Sequence, residues 1–246
     1  MKELSCFLAE LLGTASLILL GNGVVANVLL EKSGMKGGGT VQITFAWGLA
    51  VLLPAFIFGA TSGAHFNPAL TLALAADGSL APSLVGWYVL GQMLGAEIGA
   101  LLVWILYRKH FEATADGPTR RACFCTTPSI PCTLSNFLAE AVGTFVLVFA
   151  IKGINQVPGL AGGAKYGVNY LLVFGIIVSV GMSLGGLTGY AINPARDLGP
   201  RIVYALLPMK DKAPANWRYA WVPILGPIVG ALAAVGLYKV FPWPQI

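Results

Sequence analysis

The sequence predicts an all-α membrane protein: six transmembrane helices and two re-entrant half-helices, arranged as an inverted internal repeat. Three observations predict it. Hydrophobic residues make up 57% of the chain and charged residues only 10%, with a mean hydropathy of +0.77, outside the range of soluble domains. Six apolar runs each approach the roughly 20 residues needed to cross a hydrocarbon core. Two shorter apolar pieces each open on Asn-Pro-Ala, at Asn67-Pro68-Ala69 and Asn193-Pro194-Ala195.

The first run is Phe7 to Leu29. Only one lysine precedes Glu3 and no small-residue cleavage site follows, so it is expected to be a retained span rather than a signal peptide. Val41 to Ala60 is the second span. Asn67 then suits a helix cap and Pro68 the first helical position, but Pro68 to Ala76 is too short to cross and reads as a half-helix. Val85 to Tyr107 is the third span. The polar, proline-containing stretch Arg108 to Thr133 is expected outside the bilayer, joining halves of about 1–107 and 134–246 within a single domain. Leu134 to Ile151 and Val168 to Leu187 follow as spans four and five. Gly185, Gly186 and Gly189 permit irregular backbone before the second half-helix, Pro194 to Leu207, and Trp221 to Val240 is the sixth span. Irregular backbone at membrane depth is tolerated where it is buried in protein or lines a wet cavity, so the two half-helices point to a translocation path.

The halves match residue by residue. Phe7-Leu8-Ala9-Glu10 recurs 130 residues later as Phe137-Leu138-Ala139-Glu140, the Asn-Pro-Ala motif 126 residues later, and Gly99-Ala100-Leu101 131 residues later as Gly230-Ala231-Leu232. Three spans per repeat is an odd number, so the second copy enters from the opposite side and the half-helix N-termini meet near the midplane. Their partial positive charges repel cations and interrupt a chain of proton-passing waters. Asn67 and Asn193 offer amide donors, and the unwound stretches before them offer backbone carbonyls. Such a lumen replaces water for neutral polar solutes.

The remaining chemistry is sparse. The net charge of +5 is scattered through short loops beside spans, which fits lipid headgroups rather than nucleic acid. No nucleophile constellation, metal cluster or phosphate loop supports an enzyme, and no cofactor is expected. Cys6, Cys123, Cys125 and Cys132 fit neither a zinc site nor a disulfide framework, with a disulfide within the loop left open. Glu10 and Glu140 admit two roles: a proton relay in a coupled secondary transporter, or acceptors for the unwound backbone before each half-helix. Their symmetric placement favours the second. His65 lacks a second ligand at metal-binding spacing and reads as a structural hydrogen-bond partner. Glu97, between Gly95 and Gly99, has no assigned role. Arg196 has a fork that can hold two adjacent oxygens of a polyol, against the alternative of an arginine bridged to Asp197.

These paired motifs, with Ser62-Gly63-Ala64-His65-Phe66-Asn67-Pro68-Ala69, the two first-helix glutamates and the GxxxG-like third and sixth spans, resemble the aquaporin superfamily across nearly the whole chain. Asp197 after Arg196, Arg201 four residues later and Pro223-Ile224 in the last span are similar to its glycerol facilitator branch. The resemblance implies a right-handed helical bundle, a homotetramer with one pore per subunit, and a constriction made by Trp47, Gly181, Tyr190 and Arg196. It implies passage of glycerol and water in a plasma membrane. Gly181 is expected to widen the constriction, with Trp47 and Tyr190 forming an apolar corner. Tyr190 stands where facilitators usually carry phenylalanine. Its hydroxyl either faces the lumen, favouring dihydroxyacetone or protonated lactic acid, or bonds nearby loop backbone. The implied orientation, termini inside, puts Lys2, Lys152, Lys165 and Lys239 in the cytoplasm. It puts Lys32, Lys36, Arg108, Lys109, Arg120, Arg121, Lys210, Lys212 and Arg218 outside, the reverse of the positive-inside bias.

Overall fold

The computed structural model describes residues 1–154, 156–157 and 167–243; Lys165 lies outside the described residues. Within them the chain forms α1 (Lys2–Leu29), α2 (Gly39–Ser62), α3 (Pro68–Ala76), α4 (Val85–Ala113), α5 (Gly117–Ala122), α6 (Thr133–Ile154), α7 (Val168–Thr188), α8 (Pro194–Leu206) and α9 (Val222–Val240). Six of these, α1, α2, α4, α6, α7 and α9, are long and apolar enough to cross a membrane.

Helix α4 runs past the expected end at Tyr107. No glycine or proline interrupts 108–113, Glu112 pairs with Arg108 and Lys109, and the Thr114 hydroxyl bonds the His110 carbonyl at the helix end. The connection to α6 is not a simple polar loop either. It contains α5, capped by Asp116 through the Thr119 N–H at 2.8 Å, and then buries Cys123, Phe124, Cys125 and Thr126 in the bundle. All four cysteines are free, so the disulfide left open within the loop is not formed.

Helix α1 packs mainly on α4, and α6 on α9. Close approach depends on small residues: a Cβ at Gly91 would lie 2.6 Å from the Phe7 carbonyl oxygen, and one at Gly99 2.5 Å from that of Ala15. On the other pair, Gly226 and Gly230 face α6 in the same way. The short helices cross over, α3 lying against α9 and α8 against α4. That exchange locks the two parts of the chain together.

Both half-helices are capped at each end. The Asn67 Oδ1 accepts from the Ala69 N–H at 3.0 Å, and the Asn193 Oδ1 accepts from Ala195 and Arg196 at 3.0 and 3.2 Å. At the far ends, Lys239 Nζ donates to the Ala76 carbonyl, while Lys212 Nζ donates to the carbonyls of Tyr204, Ala205 and Leu207. A lysine there satisfies orphan carbonyls and offsets the negative end of the dipole.

Candidate functional site

The site is built where α2 and α7 stop short. Each ends on a left-handed glycine, Gly63 with φ 83° and Gly189 with φ 82°. The next turns hold four non-glycine residues in the same region: Ala64 at 57°, Phe66 at 48°, Tyr190 at 36° and Ile192 at 44°. Each costs about 1–2 kcal/mol, so the surroundings must impose them.

Glu10 and Glu140 do so. Glu10 accepts from the Ser62 hydroxyl at 2.5 Å, the His65 N–H at 3.0 Å, the Phe66 N–H at 2.7 Å and the Gln92 amide at 2.7 Å. Glu140 accepts from the Thr188 hydroxyl at 2.6 Å, the Ala191 N–H at 3.0 Å and the Ile192 N–H at 2.8 Å. Every partner is a donor, both carboxylates are fully buried, and neither is among the residues lining the two cavities at the half-helices. The arrangement fits the acceptor role. The one unmatched donor is Gln92, whose place in the second half is taken by Pro223, a residue without an N–H to give.

The half-helix N-termini are tied to one another. Asn67 Nδ2 donates to the Ile192 carbonyl at 2.9 Å, and Asn193 Nδ2 donates to the Phe66 carbonyl at 2.7 Å. Each amide nitrogen carries two hydrogens, so one per asparagine remains for the lumen. Both asparagines line a cavity of about 140 Å³ that also takes in Leu17, His65, Leu147 and Ile177. His65 Nδ1 lies 3.1 Å from the Thr71 hydroxyl, and no metal-holding cluster occurs among the described residues.

A second, wider cavity of about 800 Å³ opens on the other side, lined in part by Thr44, Cys125, Thr126 and Gly181. Among the described residues, only Trp47, Tyr190 and Arg196 border both cavities. They therefore define the narrowing between the two. The Arg196 guanidinium sits 4.1 Å from the Trp47 ring centre, a cation–π contact. Its Nη1 has only long contacts, 3.5 Å to Asn22 Oδ1 and 3.5 Å to the Phe124 carbonyl. Asp197 does not neutralise it. That carboxylate accepts from Arg201 at 2.7 and 2.8 Å and from Thr126 through both N–H and hydroxyl, while Arg201 also reaches the carbonyls of Thr126, Ala215 and Asn216. Arg196 thus keeps donors free at the constriction.

Gly181 borders the wider cavity but is closely packed. A Cβ there would lie 2.5 Å from the Thr44 side chain and 2.9 Å from the Tyr190 ring, and one at Gly185 2.6 Å from the same ring, so both glycines make room for the tyrosine. The Tyr190 hydroxyl is buried beside Thr44, with no hydrogen bond of 3.5 Å or less among the described residues. Glu97 is half-buried on α4, away from both cavities. Pro68 and Pro194 occupy the first helical positions behind the capping asparagines, and Ile224 lies in the first turn of α9.

Sequence reasoning gave no role to Ser62, Thr188, Asn22, Gln92, Phe124 and Thr126. Ser62 and Thr188 lie 126 residues apart, the spacing of the asparagines, and that signal was readable. Asn22 and Gln92 were polar residues within apolar spans, which alone marks them. Phe124 and Thr126 carried no sequence signal.

The family model for major intrinsic proteins matches residues 1–238. A probable glycerol uptake facilitator protein of Thermotoga maritima is 47% identical over 236 residues, covering 96% of this chain and 99% of the relative. The glycerol uptake facilitator protein of Bacillus subtilis is 48% identical over 227 residues, covering 92% and 81% respectively. The X-ray structure of the aquaglyceroporin from Plasmodium falciparum superposes with a TM-score of 0.83 at 28% identity, covering 97% of this chain and 96% of that one. On its own sequence, and on the crossed half-helices that sequence builds, the chain belongs to the major intrinsic protein family, as a multi-pass integral membrane protein.

Proposed function

We propose that this protein is a passive channel carrying glycerol and other small neutral polar solutes, with water, across the plasma membrane, and excluding ions and protons. It is a channel, not an enzyme, and a coupled transporter is not favoured. The observation that carries the proposal is the pair of half-helix N-termini bound to each other beside a constriction where Arg196 keeps its donors. The facing positive ends oppose cations, while the asparagine amides and Arg196 replace the hydration of a neutral solute. Inverted repeats over 1–107 and 134–246 belong to the same proposal, as does a homotetramer. Exposed Leu171, Leu172 and Met182 on α7 supply apolar surface for lipid or a neighbouring copy.

We place both termini in the cytoplasm. Six of the nine basic residues then facing outward have local partners: Arg120, Arg121 and Lys212 donate to backbone carbonyls, Lys36 pairs with Glu31, and Arg108 and Lys109 with Glu112.

Stopped-flow light scattering of proteoliposomes under a glycerol gradient tests the assignment. Flux is expected to follow the gradient and to be unchanged by a protonophore. Accumulation against the gradient, driven by a pH difference, would reject the channel.

Tyr190 sets the finer solute preference. A buried hydroxyl with no hydrogen bond of 3.5 Å or less among the described residues, at the border of both cavities, suits a solute that brings a carbonyl or carboxyl acceptor, such as dihydroxyacetone or protonated lactic acid. Lactate itself remains excluded, because a desolvated charge in a narrow lumen costs several kcal/mol. Lactic acid flux is expected to rise as pH falls towards the acid's own pKa. Tyr190→Phe is expected to lower the lactic acid to glycerol flux ratio about fivefold, matching one lost hydrogen bond of roughly 1 kcal/mol. An unchanged ratio at both high and low pH would remove the hydroxyl from solute selection.

A further inference from the structure

A third cavity, of about 390 Å³, lies outside the pore between the end of α4 and the segment that follows α8. Arg108, Arg120 and Lys210 border it, with Glu112 as the only carboxylate and Trp104 and Met209 as apolar lining. Glu112 is already shared between Arg108 at 3.3 Å and Lys109 at 2.7 Å. Arg120 is the anomaly. It is 6% exposed, and its Nη1 and Nη2 donate to the backbone carbonyls of Lys210 and Asp211 at 2.9 and 2.7 Å. Its Nε is buried without a partner, and no carboxylate lies within salt-bridge distance among the described residues. Arg201, equally buried, has Asp197. Asp116, at the start of α5, acts on Arg120 only at longer range, and a buried cation with no contacting carboxylate can take a counter-ion from outside.

The cavity's position says what that counter-ion is. Ile98, Leu101, Leu102 and Ile105 form an exposed apolar face along α4, and this face ends at Trp104 and Arg108, whose guanidinium lies 5.5 Å from the indole ring. Tryptophan and arginine at the end of a span mark the headgroup level of a bilayer. We propose that this cavity seats the phosphate of an anionic phospholipid, its acyl chains lying along α4 and its charge offsetting Arg108, Arg120 and Lys210. A zwitterionic lipid leaves the excess cations uncompensated, so the site discriminates by headgroup charge.

The full chain, purified in detergent and exposed to equal amounts of phosphatidylglycerol and phosphatidylcholine with matched chains, is read by native mass spectrometry. Wild type is expected to retain phosphatidylglycerol preferentially. The preference is expected to fall about fivefold for each cation removed in Lys210→Gln and in Arg108→Gln/Lys210→Gln. Both positions lie outside the pore, so glycerol flux and lipid-free unfolding temperature are expected to stay at wild-type values. Equal retention of the two lipids by wild type overturns the proposal, as does an unchanged preference in both variants. Displacement of the retained lipid by millimolar inorganic phosphate also overturns it, by assigning the site to a soluble anion.

Discussion

Glu140→Ala is expected to abolish glycerol flux and to lower the unfolding temperature far below that of wild type. The substitution strands the Thr188 hydroxyl and the N–H groups of Ala191 and Ile192, all buried. Each orphaned group costs about 1–3 kcal/mol, and the left-handed backbone at Tyr190 and Ile192 loses the bonds that impose it. Such a sum is large against a folding free energy on the order of 10 kcal/mol. Glu140→Gln, which keeps one acceptor but aims an amide donor at another donor, is expected to fall between the two. Thermal unfolding in detergent and proteoliposome flux measure it. Wild-type values in the alanine variant would show that the carboxylate does not hold the unwound backbone.

Asn193→Asp is expected to cut glycerol flux about tenfold, the equivalent of roughly 1.4 kcal/mol and within the range for a broken buried hydrogen bond. The 2.7 Å bond from Asn193 Nδ2 to the Phe66 carbonyl becomes a contact between two acceptors, and the hydrogen facing the lumen disappears. A carboxylate between two helix N-termini also weakens the barrier to cations, so a proton leak is expected, read with a pH-sensitive dye inside the vesicles. Asn193→Ala removes the donor without adding charge and is expected to lose flux without leaking. Normal flux and no leak in a folded aspartate variant would take Asn193 out of the lumen.

Much of this protein was legible before folding. The six spans follow from length and hydropathy, which are local quantities. The half-helix starts follow from Asn-Pro, because capping and a fixed φ act on the nearest backbone. The acceptor role of Glu10 and Glu140 was readable from their matched positions. Expectations failed where a side chain meets a distant element. The stretch after Arg108 was read as a loop, but it continues a helix and then buries Phe124 against the bundle.

By itself, then, the sequence determined the membrane class, the spans, the two broken helices and the family. Each of these depends on composition, spacing or motif within one stretch or between matched stretches. Only the tertiary structure decided that Asn193 bonds a carbonyl 127 residues away, that Trp47, Tyr190 and Arg196 close on one another, and that Arg120 lies buried with no carboxylate in contact among the described residues. The left-handed turns at Ala64, Phe66, Tyr190 and Ile192 belong to the same group. No local propensity favours them, and they persist because their N–H groups donate to the carboxylates of Glu10 on α1 and Glu140 on α6, which over-determine the backbone after the chain has closed.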